Sequence, residues 1–319
     1  MNVLVTGATG FLGSRLAETL HSTPDIKLTT VARRRVETPA AQIVEVSSLC
    51  ADTDWSTALT EQQVVIHAAA RAHIMKDEVA DPLAEYRRVN VDGTLNLARQ
   101  AAVAGVKRFI FISSIKVNGE QTTLGLPFTA DDMPSPQDAY GVSKWEAEHG
   151  LQQLAAETGI EVVIIRPPLV YGPGVKGNFA NMIKLVESGL PLPLGSTNNR
   201  RSFVALGNLV DLIISCIDHP AAANQVFLAG DGEDLSTTDL LRGVAKAMRK
   251  PSRLIPVPSS LVMFSATILG KRAVAQRLLG SLQVDLTKAR ELLGWTPPVS
   301  VEEGLRRCFE SSTEKDTHQ

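Results

Sequence analysis

Short apolar runs alternate with longer segments of helical apolar spacing through the first half of the chain. Five runs rich in β-branched residues predict strands, at residues 1–6, 27–31, 64–68, 108–113 and 162–166. Longer segments between them carry apolar residues at helical spacing, which predicts helices at residues 11–21, 82–104 and 139–158. Because strands that alternate with helices form parallel sheets, we expect an α/β fold with a doubly wound sheet.

The regular alternation ends at Pro167, where glycine and proline clusters and a polar stretch follow. We expect a smaller, substrate-binding lobe to begin there. A helix at 208–216 and a strand at 225–229 are expected to return to the main sheet. The predicted division gives the sheet domain residues 1–166 and 203–230, and it gives the smaller lobe residues 167–202 and 231–319.

The first predicted strand leads directly into a glycine-rich turn and an amphipathic helix. Gly7, Gly10 and Gly13 have the spacing G-x-x-G-x-x-G, which departs by one residue from the commoner G-x-G-x-x-G. Glycines let backbone N–H groups approach a pyrophosphate, whose charge the helix N-terminus favours. The context predicts a Rossmann-like site for a nicotinamide dinucleotide. Besides the glycines, the turn residues expected to line the cofactor are Thr9, Phe11 and Leu12.

The end of the second predicted strand bears on which dinucleotide binds. NAD-specific sites usually place an acidic residue there, which accepts hydrogen bonds from the ribose hydroxyls. This chain has Arg33, Arg34 and Arg35 instead, and a guanidinium suits a 2′-phosphate. NADP(H) is therefore the favoured cofactor and NAD(H) the alternative, while a solvated basic loop is a further interpretation of the same run.

The fourth predicted strand and the helix at 139–158 carry the candidate catalytic residues. Ser113 and Ser114 close the strand, while Tyr140 and Lys144 are four residues apart on one helical face. A tyrosine with its ordinary pKa of about 10 is a poor acid–base catalyst, and a neighbouring ammonium lowers that pKa. We therefore expect Lys144 to activate Tyr140 and to hold the cofactor ribose, with a serine hydroxyl on the substrate oxygen.

Several motifs occur in a characteristic order along nearly the whole chain. After the glycine turn they are His67-Ala68-Ala69-Ala70, Asn90-Val91-Asp92-Gly93-Thr94, Ser113-Ser114, Tyr140-Gly141-Val142-Ser143-Lys144 and Arg166-Pro167-Pro168-Leu169-Val170-Tyr171-Gly172-Pro173-Gly174. At these residues the chain resembles the extended short-chain dehydrogenase/reductases, in particular their sugar-nucleotide epimerase, dehydratase and reductase branch. The resemblance implies that Tyr140 transfers the proton, that Lys144 activates it and that Ser114 holds the substrate oxygen. Cofactor contacts are implied for Ala68, Ala69, Ala70, Ser113 and Pro167.

The resemblance also implies that a UDP-sugar contacts the second lobe. Arg201 resembles the family's arginine that binds the nucleotide diphosphate, and a guanidinium suits pyrophosphate oxygens. Asn208 resembles the polar residue that follows this strand. Capping of a helix is an equal alternative for Asn178. The expected substrate contacts are Ser114, Lys116, Asn178, Asn181, Arg201 and Arg277.

The arginines after the second strand help to rank the activities that the resemblance allows. They favour NADPH and net reduction, because an epimerase gains from holding NAD tightly. The expected function is reduction of the C4 ketone of a UDP-4-keto-6-deoxy-N-acetylhexosamine, as in the synthesis of UDP-N-acetylquinovosamine. A UDP-hexose or UDP-N-acetylhexosamine 4-epimerase is the alternative, and a non-catalytic dinucleotide-binding regulator is a remote one. A dehydratase is disfavoured because no carboxylate adjoins Ser114.

Composition gives little indication of other partners. A net charge of -2 with 21% charged residues is ordinary for a globular protein and does not suggest nucleic acid. Cys50, Cys216 and Cys308 have no metal or redox spacing, so we expect no metal and a reducing cytoplasm. The apolar run at 261–270 is half of the ~20 residues that a bilayer span needs, which predicts a helix packed on the protein, with peripheral membrane contact as the alternative. The resemblance allows a homodimer.

Overall fold

The computed structural model describes residues 1–34, 38–72 and 81–313. The strands are β1 (Asn2–Thr6), β2 (Lys27–Ala32), β3 (Gln42–Glu45), β4 (Val64–His67), β5 (Arg108–Ile112), β6 (Glu161–Arg166), β7 (Leu169–Tyr171), β8 (Arg201–Ala205), β9 (Val226–Leu228) and β10 (Asp234–Leu235). The helices are α1 (Phe11–His21), α2 (Ser56–Leu59), α3 (Pro82–Tyr86), α4 (Gly93–Val103), α5 (Ala139–Thr158), α6 (Asn178–Glu187), α7 (Leu206–Ser215), α8 (Thr237–Ala247), α9 (Ser259–Ile268), α10 (Arg272–Leu279), α11 (Thr287–Leu293) and α12 (Val301–Thr313).

The main sheet is parallel, and its strands have the order β3-β2-β1-β4-β5-β6-β9. Its strands are apolar on both faces because helices cover both. Leu16 of α1 and Leu209 of α7 pack on one face, while Leu97 of α4 and Leu151 of α5 pack on the other. The predicted doubly wound α/β fold is confirmed. Strand order reverses direction at β1 and β4, which is where such sheets bind ligands.

The segment predicted as a single helix at 82–104 is interrupted. A π-helical stretch, Arg87–Asp92, separates α3 from α4. Within this stretch the buried Asn90 side chain bonds to the backbone of Arg71 and to Ser143 on α5. A widened turn of this kind often occurs at a functional site. Apolar periodicity could not predict it, because the buried face continues on both sides of the interruption.

A second sheet, with the strand order β10-β8-β7, forms the smaller lobe. It packs with α6, α8 and α12 around the side chains of Tyr171, Phe179 and Val244. Because β8 pairs with β7, residues 203–205 lie in this sheet, and the chain returns to the main sheet with α7. The strand expected at 225–229 forms as β9 and pairs in parallel with β6.

The apolar run at 261–270 forms a helix, α9, which packs on the protein as expected but along one side only. None of the residues of α9 is buried. Val262 contacts the core of the smaller lobe, while Phe264 and Ile268 are exposed. Within the part of the chain that the structure describes, no helix combines the length and apolar character that crossing a membrane requires.

The glycine turn between β1 and α1 is closely packed against backbone. Gly7 has a φ of 76°, and a Cβ there would lie 2.7 Å from the amide nitrogen of Ala69. A Cβ on Gly13 would overlap the Gly7 carbonyl group, with 2.6 Å to its carbon. The Gly10 N–H donates to the Gly7 oxygen at 2.9 Å and closes the turn. The turn therefore has room for a pyrophosphate only if these positions carry no side chains.

Gly13→Ala is expected to abolish dinucleotide binding and to lower the free energy of unfolding by about 2 kcal/mol, because its methyl group would displace the backbone. Gly10→Ala is the matched control for stability, since Gly10 has a φ of -84° and a Cβ there would meet its nearest atom at 3.2 Å. Urea unfolding measures the stability of both variants, and titration with NADH, followed by nicotinamide fluorescence, measures binding by Gly13→Ala. Equal losses of stability in the two variants would refute the role of close backbone packing.

Candidate functional site

The carboxyl ends of β1, β4, β5 and β6 meet at one edge of the main sheet. The Ala69 N–H donates to Thr6 Oγ1 at 3.4 Å, which joins the loop after β4 to the end of β1. The Ile115 N–H donates to the Pro167 carbonyl at 3.0 Å, which joins the segments after β5 and β6. Predicted cofactor residues brought to this edge are Gly7, Thr9, Gly10, Phe11, Leu12, Ala68, Ala69, Ala70, Ser113 and Pro167.

His67 ends β4 as a fully buried imidazole. Its Nδ1 lies 2.7 Å from Thr6 Oγ1, and its Nε2 lies 3.0 Å from Thr94 Oγ1. Burial lowers the pKa of His67 to about 3, and the charge of Lys144 lowers it further, so the ring is neutral at pH 7. Since both nitrogens are bonded to threonine hydroxyls, His67 fixes the strand end beside the glycine turn. The sequence analysis assigned His67 no role of its own. A polar residue at the end of an apolar strand was the signal that could have indicated one.

Asn90 connects the loop after β4 to α5. Its Oδ1 accepts from the Arg71 N–H at 2.8 Å, and its Nδ2 donates to Ser143 Oγ at 3.0 Å. Ser143 Oγ in turn donates to the Tyr140 carbonyl at 2.8 Å. These bonds hold the first turn of α5 against the loop that is expected to line the cofactor. Asn90 is therefore a positioning residue that sequence reasoning noted only within a motif.

Tyr140 lies in the first turn of α5, half-buried beside Tyr86. The helix begins where the Asp138 side chain accepts from the Gly141 N–H at 2.7 Å. Burial raises the pKa of Tyr140 above its ordinary value, and Asp138 and Tyr86 raise it further. The expected lowering of this pKa by Lys144 is wrong for this arrangement, because Lys144 is bonded elsewhere. Tyr140 is therefore a protonated phenol, suited to donate a proton.

Lys144 is one turn further along α5 and is buried. Its Nζ donates to the Ile112 carbonyl at 2.8 Å and lies 4.3 Å from the centre of the Phe111 ring. Burial lowers the pKa of Lys144 to about 7, and the Glu148 carboxylate opposes part of that shift. An ammonium held by a carbonyl and an aromatic face can change its charge near neutral pH.

The two serines after β5 have different partners. The Ser113 hydroxyl donates to the buried Glu148 carboxylate, so its Oγ would act as an acceptor in the expected cofactor contact. Ser114 is half-buried, and its Oγ accepts from the Lys116 N–H at 3.3 Å, which leaves its own O–H to donate. The Lys116 ammonium, expected on the substrate, is bonded to Asp138 and Glu120.

A buried ion pair lies behind these residues. Arg166 at the end of β6 donates from Nη2 to Glu148 Oε2 at 2.6 Å and from Nε to Oε1 at 3.0 Å. Its Nη1 donates to Asn118 Oδ1 at 3.0 Å. Both charged side chains are almost completely buried, with 4% and 2% of their side-chain surface exposed. The pair therefore connects α5, β6 and the segment after β5 through bonds shielded from water.

Arg33 and Arg34 follow β2 and are exposed, while Arg35 lies outside the described residues. Neither forms a salt bridge within the described part of the chain, so both can meet an incoming phosphate.

Sequence reasoning missed β3, whose four residues are mostly exposed. Its last residue, Glu45, pairs in register with Ala32 at the end of β2. A carboxylate therefore lies on the strand beside the arginines, although none follows β2 directly.

Arg201 and Arg277 lie close together in the smaller lobe. Arg201 Nη1 donates to the Arg277 carbonyl and to the Gly280 carbonyl, both at 3.0 Å. The exposed Arg277 side chain comes from α10. Asn208, which resembles the family's polar residue after this strand, is fully buried and bonds to Asp231 and the Val299 backbone. Its amide thus holds α7 to the smaller lobe.

Asn178 is exposed at the first position of α6, while Asn181 lies one turn later. The capping interpretation of Asn178 is wrong, because Gly177 occupies the cap position and makes no side-chain bond.

Among the residues that the structure describes, no group of three or more histidine, cysteine or acidic side chains could hold a metal ion. The site residues are therefore hydroxyl, amide and cationic groups around a backbone turn.

Lys144→Met is expected to remove a pH dependence of stability. The pKa of Lys144 is about 7 in the folded chain against 10.5 for an unperturbed lysine, so the unfolded chain binds more protons between these values. Stability therefore rises with pH in this window, and below about 7 the unfavourable contribution is complete. From pH 7 to pH 9 the wild type should gain about 2 kcal/mol relative to the variant. Urea unfolding after removal of bound dinucleotide measures this, and parallel pH profiles would contradict it.

Comparison with known proteins identifies the family. Residues 3–230 match the NAD dependent epimerase/dehydratase family. The chain is 50% identical over 311 residues to a UDP-glucose 4-epimerase of Vibrio cholerae, which covers 97% of this chain and 95% of that one. It is 31% identical over 324 residues to the N-acetyl-alpha-D-glucosaminyl-diphospho-ditrans,octacis-undecaprenol 4-epimerase of Escherichia coli O157:H7, with 97% and 94% covered.

A solved structure gives the same result for the whole fold. The UDP-glucose 4-epimerase of Thermotoga maritima with UDP-glucose has a TM-score of 0.77 and 25% identity, and the match covers 99% of each chain. The residues that match the family include the glycine turn, Ser114, Tyr140 and Lys144, while Arg277 lies beyond them. The chain therefore belongs to the NAD dependent epimerase/dehydratase family and is an enzyme that binds a nicotinamide dinucleotide.

Proposed function

We propose that the chain is a UDP-hexose 4-epimerase that keeps NAD bound between turnovers. The observation that carries this proposal is the 50% identity to the Vibrio cholerae UDP-glucose 4-epimerase, which extends over 97% of this chain and 95% of the relative. Identity over both lobes favours a shared substrate class as well as a shared cofactor. The proposal reverses the order expected from the sequence, in which Arg33 and Arg34 favoured a 4-ketoreductase.

The glycine turn supports a resident dinucleotide. Side chains at Gly7 or Gly13 would collide with backbone, while Thr9 and Gly10 are exposed at the N-terminus of α1. That terminus favours the negative charge of a pyrophosphate. A bound nicotinamide would supply the reversible hydride acceptor for sugar C4 that epimerisation requires. In the proposal Ala68, Ala69 and Pro167 line the cofactor, and Lys144 binds its ribose.

Tyr140 is the proposed group that takes the proton from the C4 hydroxyl and later returns it. Its raised pKa suits the returning step, in which a phenol donates. The first step requires phenolate, and that requires a nearby positive charge. Lys144, whose pKa is about 7, supplies that charge when its Nζ exchanges the Ile112 carbonyl for the ribose and the phenol. Ser114 donates a hydrogen bond to the C4 oxygen in both directions.

The two arginines of the smaller lobe are the proposed ligands of the diphosphate. The hydrogen bonds described for Arg201 use Nη1, so Nε and Nη2 can be directed to phosphate oxygens. Burial lowers the pKa of Arg201, and an anion there would offset that cost. Asn178 and Asn181 remain candidates for the sugar or the base. Lys116 is a weaker candidate because its ammonium is already bonded to Asp138.

A UDP-4-keto-6-deoxy-N-acetylhexosamine 4-reductase is the second candidate. Arg33 and Arg34 are exposed after β2, where a 2′-phosphate would lie, and this observation favours NADPH. The same Tyr140 and Ser114 would then act once, in the direction of reduction. The two functions differ in whether the cofactor is consumed. Glu45 pairs in register with Ala32 at the end of β2, and a carboxylate on this neighbouring strand favours NAD.

The purified chain, without added cofactor, is expected to interconvert UDP-glucose and UDP-galactose, or the corresponding N-acetylated pair, and to release bound NAD on denaturation. Proton NMR of the sugar anomeric signals measures the conversion. The 4-keto-6-deoxy UDP-sugar, offered with NADPH and separately with NADH, tests the second candidate. Stoichiometric oxidation of NADPH without any interconversion would contradict the epimerase proposal and support the reductase.

In the same assay, Tyr140→Phe is the informative variant. We expect it to keep its bound dinucleotide and to lose about 10³-fold in kcat, since it removes the proton carrier alone. Tyr86→Phe, on the neighbouring ring, is the matched control and should lose less than about tenfold. A Tyr140→Phe enzyme with full activity would overturn the assigned role of the phenol.

A further inference from the structure

The helix α9 presents an apolar surface to solvent. Leu261, Phe264 and Ile268 are spaced by three and four residues and therefore lie on one helical face, with 57%, 66% and 70% of their surfaces exposed. We call these three side chains the α9 apolar face. Large side chains exposed together in this way mark interaction sites in soluble proteins.

The α9 apolar face is not a displaced piece of the core. Val262, on the opposite side of the helix, contacts the core of the smaller lobe and attaches α9 to it. Met263 and Ala266 are half-buried like Val262, and no residue of the helix is fully buried. The helix is thus anchored from one side, and its most apolar side chains point away from the protein.

The chain around α9 carries positive charge without acidic residues. Residues 240–284 contain eight lysines and arginines and no aspartate or glutamate, whereas the whole chain has a net charge of -2. Two of the eight, Arg242 and Lys246, are paired with acidic side chains. The other six are exposed and form no salt bridge within the described residues, and they are Arg249, Lys250, Arg253, Lys271, Arg272 and Arg277.

We propose that the α9 apolar face, with the basic residues on either side of it, docks this enzyme on an anionic lipid surface. An interfacial helix buries its apolar face at the level of the headgroups, and flanking lysines and arginines are attracted to anionic lipids. Lys271 and Arg272 directly follow the helix, and Arg253 precedes it. The helix of ten residues is about 15 Å long, so it lies on the surface without spanning a bilayer.

Charge also argues against a second copy of the chain as the occupant. A symmetric contact through α9 would bring the acid-free segment of one copy against the same segment of the other. Like charges would then face each other across a partly desolvated interface, which opposes association. An anionic surface has the complementary charge. The homodimer remains a prediction for other surfaces of the chain.

Docking through α9 would bring the proposed diphosphate site close to the membrane. α9 packs against α10, and the α10 residue Arg277 provides a carbonyl that binds Arg201. In the proposal the substrate lobe therefore faces the lipid. This orientation suits an enzyme whose product is used at a membrane, and vesicle binding can be measured whether or not the proposed epimerase activity is correct.

The test is sedimentation of the full chain with vesicles of equal parts phosphatidylglycerol and phosphatidylcholine, and with vesicles of phosphatidylcholine alone. We expect binding to the anionic vesicles that weakens as salt is added. The triple variant Leu261→Ser, Phe264→Ser and Ile268→Ser, and separately Lys271→Glu with Arg272→Glu, should each weaken binding at least about tenfold. Val103→Ser and Lys107→Glu, both exposed on the main-sheet domain, are the matched controls and should bind as wild type.

The following outcomes would overturn the proposal. Vesicle binding unchanged in both α9 variants, or no binding by the wild type, would show that α9 is not a lipid-docking helix. A wild-type dimer that the apolar variant converts to a monomer, without vesicle binding, would assign α9 to self-association. Dinucleotide content and near-UV circular dichroism equal to wild type in all variants establish that they are folded, so that lost binding reports on α9.

Discussion

The buried ion pair between Glu148 and Arg166 is the interaction on which the position of the site depends. Arg166 is the last residue of β6, directly before Pro167, and Glu148 lies two turns beyond Tyr140 on α5. The hydroxyl of Ser113 donates to the same carboxylate, so the ends of β5 and β6 are both bonded to one helix. Two charges removed from water are stable only as a pair, so helix and strands cannot shift independently.

The same helical face explains the charge states within the site. Tyr140, Lys144 and Glu148 follow one another at intervals of four, and burial favours the neutral forms of Tyr140 and Lys144. Arg166 neutralises Glu148, but Lys144 has no carboxylate in direct contact among the bonds described, and its pKa is about 7. Such a buried lysine lowers the stability of the fold, and in the proposed mechanism a bound ribose and a phenolate restore its charge.

Features that depend on residues close together in the sequence could be predicted, whereas features that depend on contacts between distant segments could not. The strand-to-helix turn at Gly7 and the spacing of Tyr140 and Lys144 are local patterns, and the fold they predict is confirmed. The Lys144 bond to Ile112, the π-helical stretch around Asn90 and the exposure of α9 depend on packing between segments distant in sequence. The cofactor preference inferred from Arg33 and Arg34 stays a prediction, and the pairing of β3, which the sequence did not predict, brings Glu45 beside Ala32.

The most direct test of this account is the free energy of unfolding of Glu148→Gln against that of Glu146→Gln. Both residues are on α5, but Glu146 pairs with Arg87 at the surface, where 24% and 48% of the two side chains are exposed. Loss of the buried charge should cost about 3 kcal/mol, because Arg166 keeps an uncompensated charge, and loss of the surface charge should cost less than about 1 kcal/mol. Equal and small losses in urea unfolding at pH 7 would contradict the claim that the Glu148–Arg166 pair holds the site together.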